Sequence, residues 1–92
     1  MTSVVVYGTK FCPFCVAARR LLKAEGIDFK DILVDGDRAM RAQIAEKSGR
    51  STVPQIWAEE QHIGGFTDLQ RLVLSGNLDF LINSNEKQSN AL

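Results

Sequence analysis

An α/β domain built on a mixed sheet is what the sequence predicts, and three observations carry that reading. A β-rich apolar run closed by glycine leads directly into a helical pattern. Strand and helix patterns then alternate as far as Gly49. Beyond it, two short strand-like runs stand one tight turn apart, ahead of another helical stretch. Alternation of this kind points to a parallel pair bridged by a helix, and a hairpin adds antiparallel neighbours.

The first element is "SVVVYG" at 3–8, apolar and β-branched, which reads as a buried strand. A helix follows from Pro13 to about Glu25. Phe14 or Cys15, Ala18, Leu21 and Leu22 recur on one face, and Gly26 stops it. The group Arg19, Arg20 and Lys23 lies at helical spacing and reads as a solvated face. "IDFKDILVDG" gives a second strand from about Asp28 to Val34. Asp37 is placed to cap a second helix, with Met40 and Ile44 inward and Gly49 as its stop. "VPQIWAEEQHIGG" reads as two strands with a turn near 59–61. "TDLQRLVLSG" is a third helix with Thr67 as candidate N-cap, and "NLDFLIN" a last short one. The expected organisation is one domain over 1–84, followed by a flexible polar tail at 85–92.

Composition narrows the function. Forty-five per cent of the residues are apolar, enough for one core. Eleven basic residues balance eleven acidic ones, so no nucleic-acid surface is expected, since tracking phosphates needs a basic excess. The opening "MTSVVVYG" has neither the basic start of a signal peptide nor the length of a membrane span. The expectation is a cytoplasmic protein that does not bind membranes. In that compartment cysteines serve redox chemistry or metals more often than permanent staples.

Cys12 and Cys15 are the only two cysteines. A structural zinc site needs four protein ligands, and two cysteines with the lone His62 fall short of that. His62 is expected to be a partly exposed strand residue. The redox reading has a physical basis. Cys12 falls at the cap of a helix whose first position is Pro13, where proline's missing N–H costs nothing. The free N–H groups and the positive end of the helix dipole then face the Cys12 sulfur and favour its thiolate. Lys10 adds positive potential. Cys15, one turn on and facing the core, is the candidate resolving thiol.

The stretches "YGTKFCPFC", "GRSTVPQIW" and "HIGGFTDL", in that order and spacing, resemble the active site, Thr-Val-Pro loop and Gly-Gly turn of the glutaredoxin family. Within it the likeness is to the short bacterial glutaredoxin 3 type and covers Val4 to about Leu81. The resemblance implies a thioredoxin fold, with a four-stranded mixed sheet flanked by helices on both faces. It implies a cis peptide between Val53 and Pro54 that offers the Val53 backbone to glutathione as an added strand would. It also implies a glutathione site. Lys10 and Arg41 would face the glycine carboxylate, Phe14, Thr52, Val53 and Pro54 would wall the groove, and the N–H groups of Gly65, Phe66, Thr67 and Asp68 would take the γ-glutamyl carboxylate. The Asp68 carboxylate would take the ammonium, while also serving as a first-turn capping group. Three departures stand out: Phe14 replaces tyrosine, Phe66 a frequent cysteine, and Thr67 a frequent aspartate or serine. Trp57 is expected to fill core or groove space.

What the resemblance implies for function is a glutathione-dependent thiol–disulfide oxidoreductase. Cys12 would be the nucleophile toward glutathione mixed disulfides, with Cys15 resolving protein disulfides. Glutathione would be reductant and co-substrate, no metal would be needed, and the protein would act as a monomer on glutathionylated or disulfide-bearing proteins. The alternative from the same family is a [2Fe–2S] carrier, its cluster held between two protomers by thiolates and glutathione. A thioredoxin proper is the third reading, disfavoured because Cys-Gly-Pro-Cys is absent.

Overall fold

The computed structural model describes residues 3–76. The expected short helix at 77–83, the domain boundary at 84 and the tail at 85–92 lie outside the described residues. The elements run β1 (Val4–Gly8), α1 (Pro13–Ala24), β2 (Phe29–Leu33), α2 (Arg38–Ser48), β3 (Gln55–Ala58), β4 (Gln61–Gly64) and α3 (Phe66–Ser75). Strand order is β2-β1-β3-β4. β1 pairs with β2 in parallel and with β3 antiparallel, and β3 pairs with β4 antiparallel, so the sheet is four-stranded and mixed, as predicted.

The two central strands separate two packing layers. Val4, Val6 and Ile56 point to one face and pack with Ala18 and Leu22 of α1 and Leu69 of α3. On the opposite face Tyr7 meets the edge of Trp57 with ring centroids 5.5 Å apart, and Lys47 of α2 lies 5.8 Å over the same indole. Trp57 is thus core on the α2 side. Every residue of β3 is buried, because both faces are covered. Fully burying a side chain such as Leu22 contributes on the order of 2 kcal/mol.

Caps follow the sequence at most ends. Asp37 accepts from Met40 N at 2.9 Å to start α2, and Gly49 ends it in the left-handed region. The hairpin turns through Glu59 and Glu60, Glu59 taking a positive φ of 54°. One start differs. α3 is capped by Gly65, two residues before the expected Thr67. The cause is local: the Asp68 carboxylate reaches back to the Gly65 N–H at 2.9 Å, and this draws residues 66 and 67 into the first turn. No helix among the described residues is long and apolar enough to cross a membrane.

Candidate active site

Cys12 is the N-cap of α1, extended at φ −74° and ψ 122°, with Pro13 opening the helix. Its carbonyl already accepts from Val16 N at 3.0 Å, which leaves the sulfur free to face the first-turn amides. Partial burial alone pushes the Cys12 thiol up. The N–H and thiol of Cys15, the N–H of Phe14 and the charge of Arg19 outweigh it, so the Cys12 thiol sits below its usual value. Cys15 is buried, and burial together with the neighbouring Cys12 raises its thiol, only partly offset by the Thr9 N–H, which donates to Cys15 Sγ at 3.4 Å. Both thiols are free. The pair is asymmetric in the sense expected: an accessible, acidified first sulfur and a buried second one.

The Cys12 thiol also stands 3.9 Å from the Val53 carbonyl. The peptide between Val53 and Pro54 is cis, and among the described residues the Val53 N–H has no partner. The loop therefore sets a backbone edge beside the nucleophile, its carbonyl met by the Cys12 thiol and its N–H unpaired. Beside it lies a groove of about 290 Å³ lined by Phe14, Arg50, Thr52, the Val53–Pro54 peptide and the run from Gly65 to Asp68. Phe14 and Phe66 form a tilted aromatic pair at 6.3 Å. A larger apolar hollow of about 610 Å³ runs along α1 from Pro13 to Ala24. It holds no nucleophile and a single polar side chain, Arg20, so the smaller groove is the candidate site.

Two polar arrangements frame the groove. Arg50 Nη1 pairs with Asp68 Oδ2 at 2.8 Å, and the same oxygen accepts from Gly65 N. The Arg50 hydrogen bond, then the Gly65 N–H, hold the Asp68 carboxyl below its ordinary value. The capping role foreseen for Asp68 is thus present, in company with an arginine that sequence reasoning missed. Behind the loop, buried Gln55 donates from Nε2 to Thr52 O at 3.0 Å and to Thr52 Oγ1 at 3.3 Å. Its Oε1 is left to accept, so His62 Nε2, 2.7 Å away, is the donor. His62 is half-buried against Trp57, and burial, then Arg50, lower its pKa. Thr52 is therefore anchored from the sheet.

Of the predicted site residues, Cys12, Cys15, Phe14, Thr52, Val53, Pro54, Gly65, Phe66, Thr67 and Asp68 gather at one end of the sheet. Lys10 and Arg41 do not line the groove. Both are exposed, and the Lys10 backbone N–H is turned to Asp35, 3.2 Å from Oδ2. Besides Arg50, Gln55 and His62, reasoning from sequence missed Arg19. It is not part of a solvated face: its Nη2 donates to Thr9 O at 3.0 Å, and its side chain is only 15% exposed. The one available signal was its spacing, four residues after Cys15, which places both on neighbouring turns.

Comparison with known proteins agrees with this geometry. The profile of the glutaredoxin family matches residues 4–63. A glutaredoxin of Pseudomonas aeruginosa is 46% identical over 84 residues, covering 91% of this chain and 100% of its own length. Glutaredoxin 3 of Escherichia coli K12 is 43% identical over 82 residues, covering 89% and 99%. The solution structure of a glutaredoxin from Brucella melitensis superposes with a TM-score of 0.83 at 38% identity, covering 92% of each chain. A buckwheat glutaredoxin, solved in complex with glutathione, shares the fold at a TM-score of 0.83 and 23% identity, over 90% of this chain and 78% of its own.

Proposed function

This chain belongs to the glutaredoxin family of redox proteins, and from that premise we propose that it is a glutathione-dependent thiol–disulfide oxidoreductase. One observation carries the reading: an acidified, accessible Cys12 stands one turn from buried Cys15, beside a groove whose Val53 peptide has an unpaired N–H. The groove fits a tripeptide with charged ends. Val53 offers its N–H and C=O to an extended backbone. The amides at the start of α3 suit a carboxylate, the Asp68 carboxylate suits an ammonium beside Arg50, and Lys10 and Arg41 are free to approach from the rim.

Cys12 thiolate attacks the glutathione sulfur of a mixed disulfide. A new S–S bond forms between Cys12 and glutathione, the old one breaks, and the electron pair leaves on the target thiolate, which takes up a proton. A second glutathione thiolate then attacks the glutathione sulfur held on Cys12, giving glutathione disulfide and regenerating the Cys12 thiolate. With a protein disulfide, Cys12 attacks first and Cys15 displaces the product thiol by closing the Cys12–Cys15 bond. Two glutathiones reduce that bond afterwards. The partners in this reading are glutathione and glutathionylated or disulfide-bonded proteins, met by a monomer in the cytoplasm.

A glutathione-coupled assay on a small glutathione mixed disulfide tests it. Cys12→Ser is expected to abolish turnover. Cys15→Ser is expected to retain deglutathionylation while losing most reduction of protein disulfides. Turnover that persists without the Cys12 sulfur removes the assignment.

A further inference from the structure

Outside the lining of the groove, the arginine whose charge helps acidify Cys12 belongs to a charged pair that reaches the second sulfur as well. Arg19 leaves α1 beneath β1 and donates from Nη2 to the Thr9 carbonyl at 3.0 Å. The N–H of the same Thr9 points at Cys15 Sγ, 3.4 Å away. The peptide carrying that N–H is fixed from its other end, because the Gly8 carbonyl accepts from Val34 N at 2.9 Å. Gly8 is what leaves room for both the guanidinium and the sulfur. A Cβ on Gly8 would stand 2.9 Å from Cys15 Sγ and 3.3 Å from Arg19 Nη2, so both occupy the space beside one small residue. Arg19 is mostly buried, where a charge acts over distance with little solvent screening. Its charge is balanced by Asp31 of β2, whose Oδ2 lies 3.0 Å from Nε. That contact is an ion pair by distance but off the line for a hydrogen bond, and Nε has no other partner.

We propose that the Arg19–Asp31 pair is a positioning and tuning device for the dithiol: Arg19 favours the reduced state of Cys12 and Cys15, and Asp31 limits how strongly it does so. The reasoning is one of signs. Reduction of the disulfide places negative charge on sulfur. When glutathione thiolate attacks Cys12 Sγ, the Cys12–Cys15 bond breaks and its electron pair goes to Cys15 Sγ, which carries the charge until it takes up a proton. Beside that sulfur stands the Thr9 N–H, aimed by Arg19 and Val34; a second glutathione then frees Cys12 as a thiolate, the charge that persists and that the nearby guanidinium favours. Neither the N–H nor the guanidinium has negative charge on sulfur to stabilise in the oxidised pair. A cation that favours the Cys12 thiolate moves the equilibrium toward the reduced pair, and an anion beside the cation moves it back. Arg19 does not line the groove.

The inference rests on the dithiol reading, and its test separates the two. Wild type, Arg19→Gln, Arg19→Lys and Asp31→Asn are equilibrated at neutral pH in glutathione buffers of graded ratio. Free thiols are trapped by alkylation, and the oxidised fraction is read by intact mass. In parallel the Cys12 thiolate is titrated by its ultraviolet absorbance, and folding is checked by thermal melting. Arg19→Gln is expected to lower the equilibrium constant for reduction by about three- to tenfold, tenfold being about 30 mV for this two-electron couple. Asp31→Asn is expected to raise it, and Arg19→Lys to stay within about twofold of wild type. A merely structural role would loosen the site in both Arg19→Gln and Asp31→Asn and move them the same way. Opposite signs support the device. Shifts of the same sign, or an unmoved Arg19→Gln in a folded protein, overturn it. If wild type forms no Cys12–Cys15 disulfide at any ratio, the dithiol function fails. The thiolate titration still decides for Arg19: a Cys12 titration that Arg19→Gln does not move upward overturns the device.

Discussion

Gly64→Ala is expected to be among the most damaging single changes at the rim of the groove. Gly64 has φ +121°, in the region that L side chains rarely adopt. Forcing alanine there costs on the order of 1–3 kcal/mol. Space compounds the strain: an alanine Cβ would stand 2.7 Å from Asp68 Cγ and 2.9 Å from Asp68 Cβ. A change of rotamer moves the carboxylate but not the Asp68 Cβ, which the α3 backbone holds. The Asp68 carboxylate is therefore displaced from the Gly65 N–H and from Arg50, a loss of about 1 kcal/mol for a partly exposed cap. Together these give a destabilisation of roughly 2–4 kcal/mol, or about 10–25 °C in Tm for a domain of this size. Thermal unfolding followed by circular dichroism measures it. Asp68→Ala alone is expected to cost about 1 kcal/mol. The double variant is expected to fall short of the sum by a similar amount, because the cap cannot be lost twice. A Gly64→Ala protein that melts within about 3 °C of wild type, or strict additivity in the cycle, refutes the reasoning.

Gly8→Ala is expected to lower stability by about 1–3 kcal/mol, since the new methyl presses on Cys15 and Arg19; a urea midpoint close to wild type contradicts this. His62→Phe keeps the ring against Trp57 but leaves Gln55 Oε1 buried and without its donor, a cost of about 1–3 kcal/mol in the same experiment. Because burial and Arg50 lower the His62 pKa, the unfolded chain takes up that proton first. The His62 contribution is then fully present above the unfolded value of about 6.5 and declines as pH falls from there toward the folded value; the His62→Phe variant should lack this component. Asp68 gives the acid counterpart. Its carboxyl is depressed by Arg50 and the Gly65 N–H, so its contribution is present above the unfolded value of about 3.9 and is lost as pH falls through the lower folded one. Asp68→Asn is expected to flatten the stability profile in that window, and a profile parallel to wild type speaks against the pairing.

What could be read from the sequence was what depends on neighbours along the chain. Periodicity placed the seven described elements, Gly49 and Gly26 stopped their helices, and Asp37 capped α2. The spacing of Cys12, Pro13 and Cys15 already implied one accessible and one buried sulfur. What could not be read depends on residues brought together by folding. Arg50 and Asp68 are 18 positions apart, and no local pattern pairs them. Arg19 looked solvated because α1 alone does not reveal that Asp31 of β2 and Thr9 of the loop lie alongside it. Gln55 and His62 satisfy each other across the β3–β4 hairpin, so each read singly as an ordinary strand residue. The Val53–Pro54 geometry came from likeness to a family; proline alone fits a strand start equally well.

The order of the strands has a consequence for how the molecule meets its own copies. Among the described residues, open ladders sit only at β2 and β4 of the four-stranded sheet. β2 spans five residues and carries exposed Lys30 and Asp31, while β4 spans four and passes almost at once into α3. Short, charged borders discourage the addition of a stranger's strand. The apolar, fully covered β3 would be the most adhesive segment if bared, but it lies in the interior of the sheet. Topology thereby works against strand-to-strand association of copies, independently of the zero formal net charge, which offers no mutual repulsion.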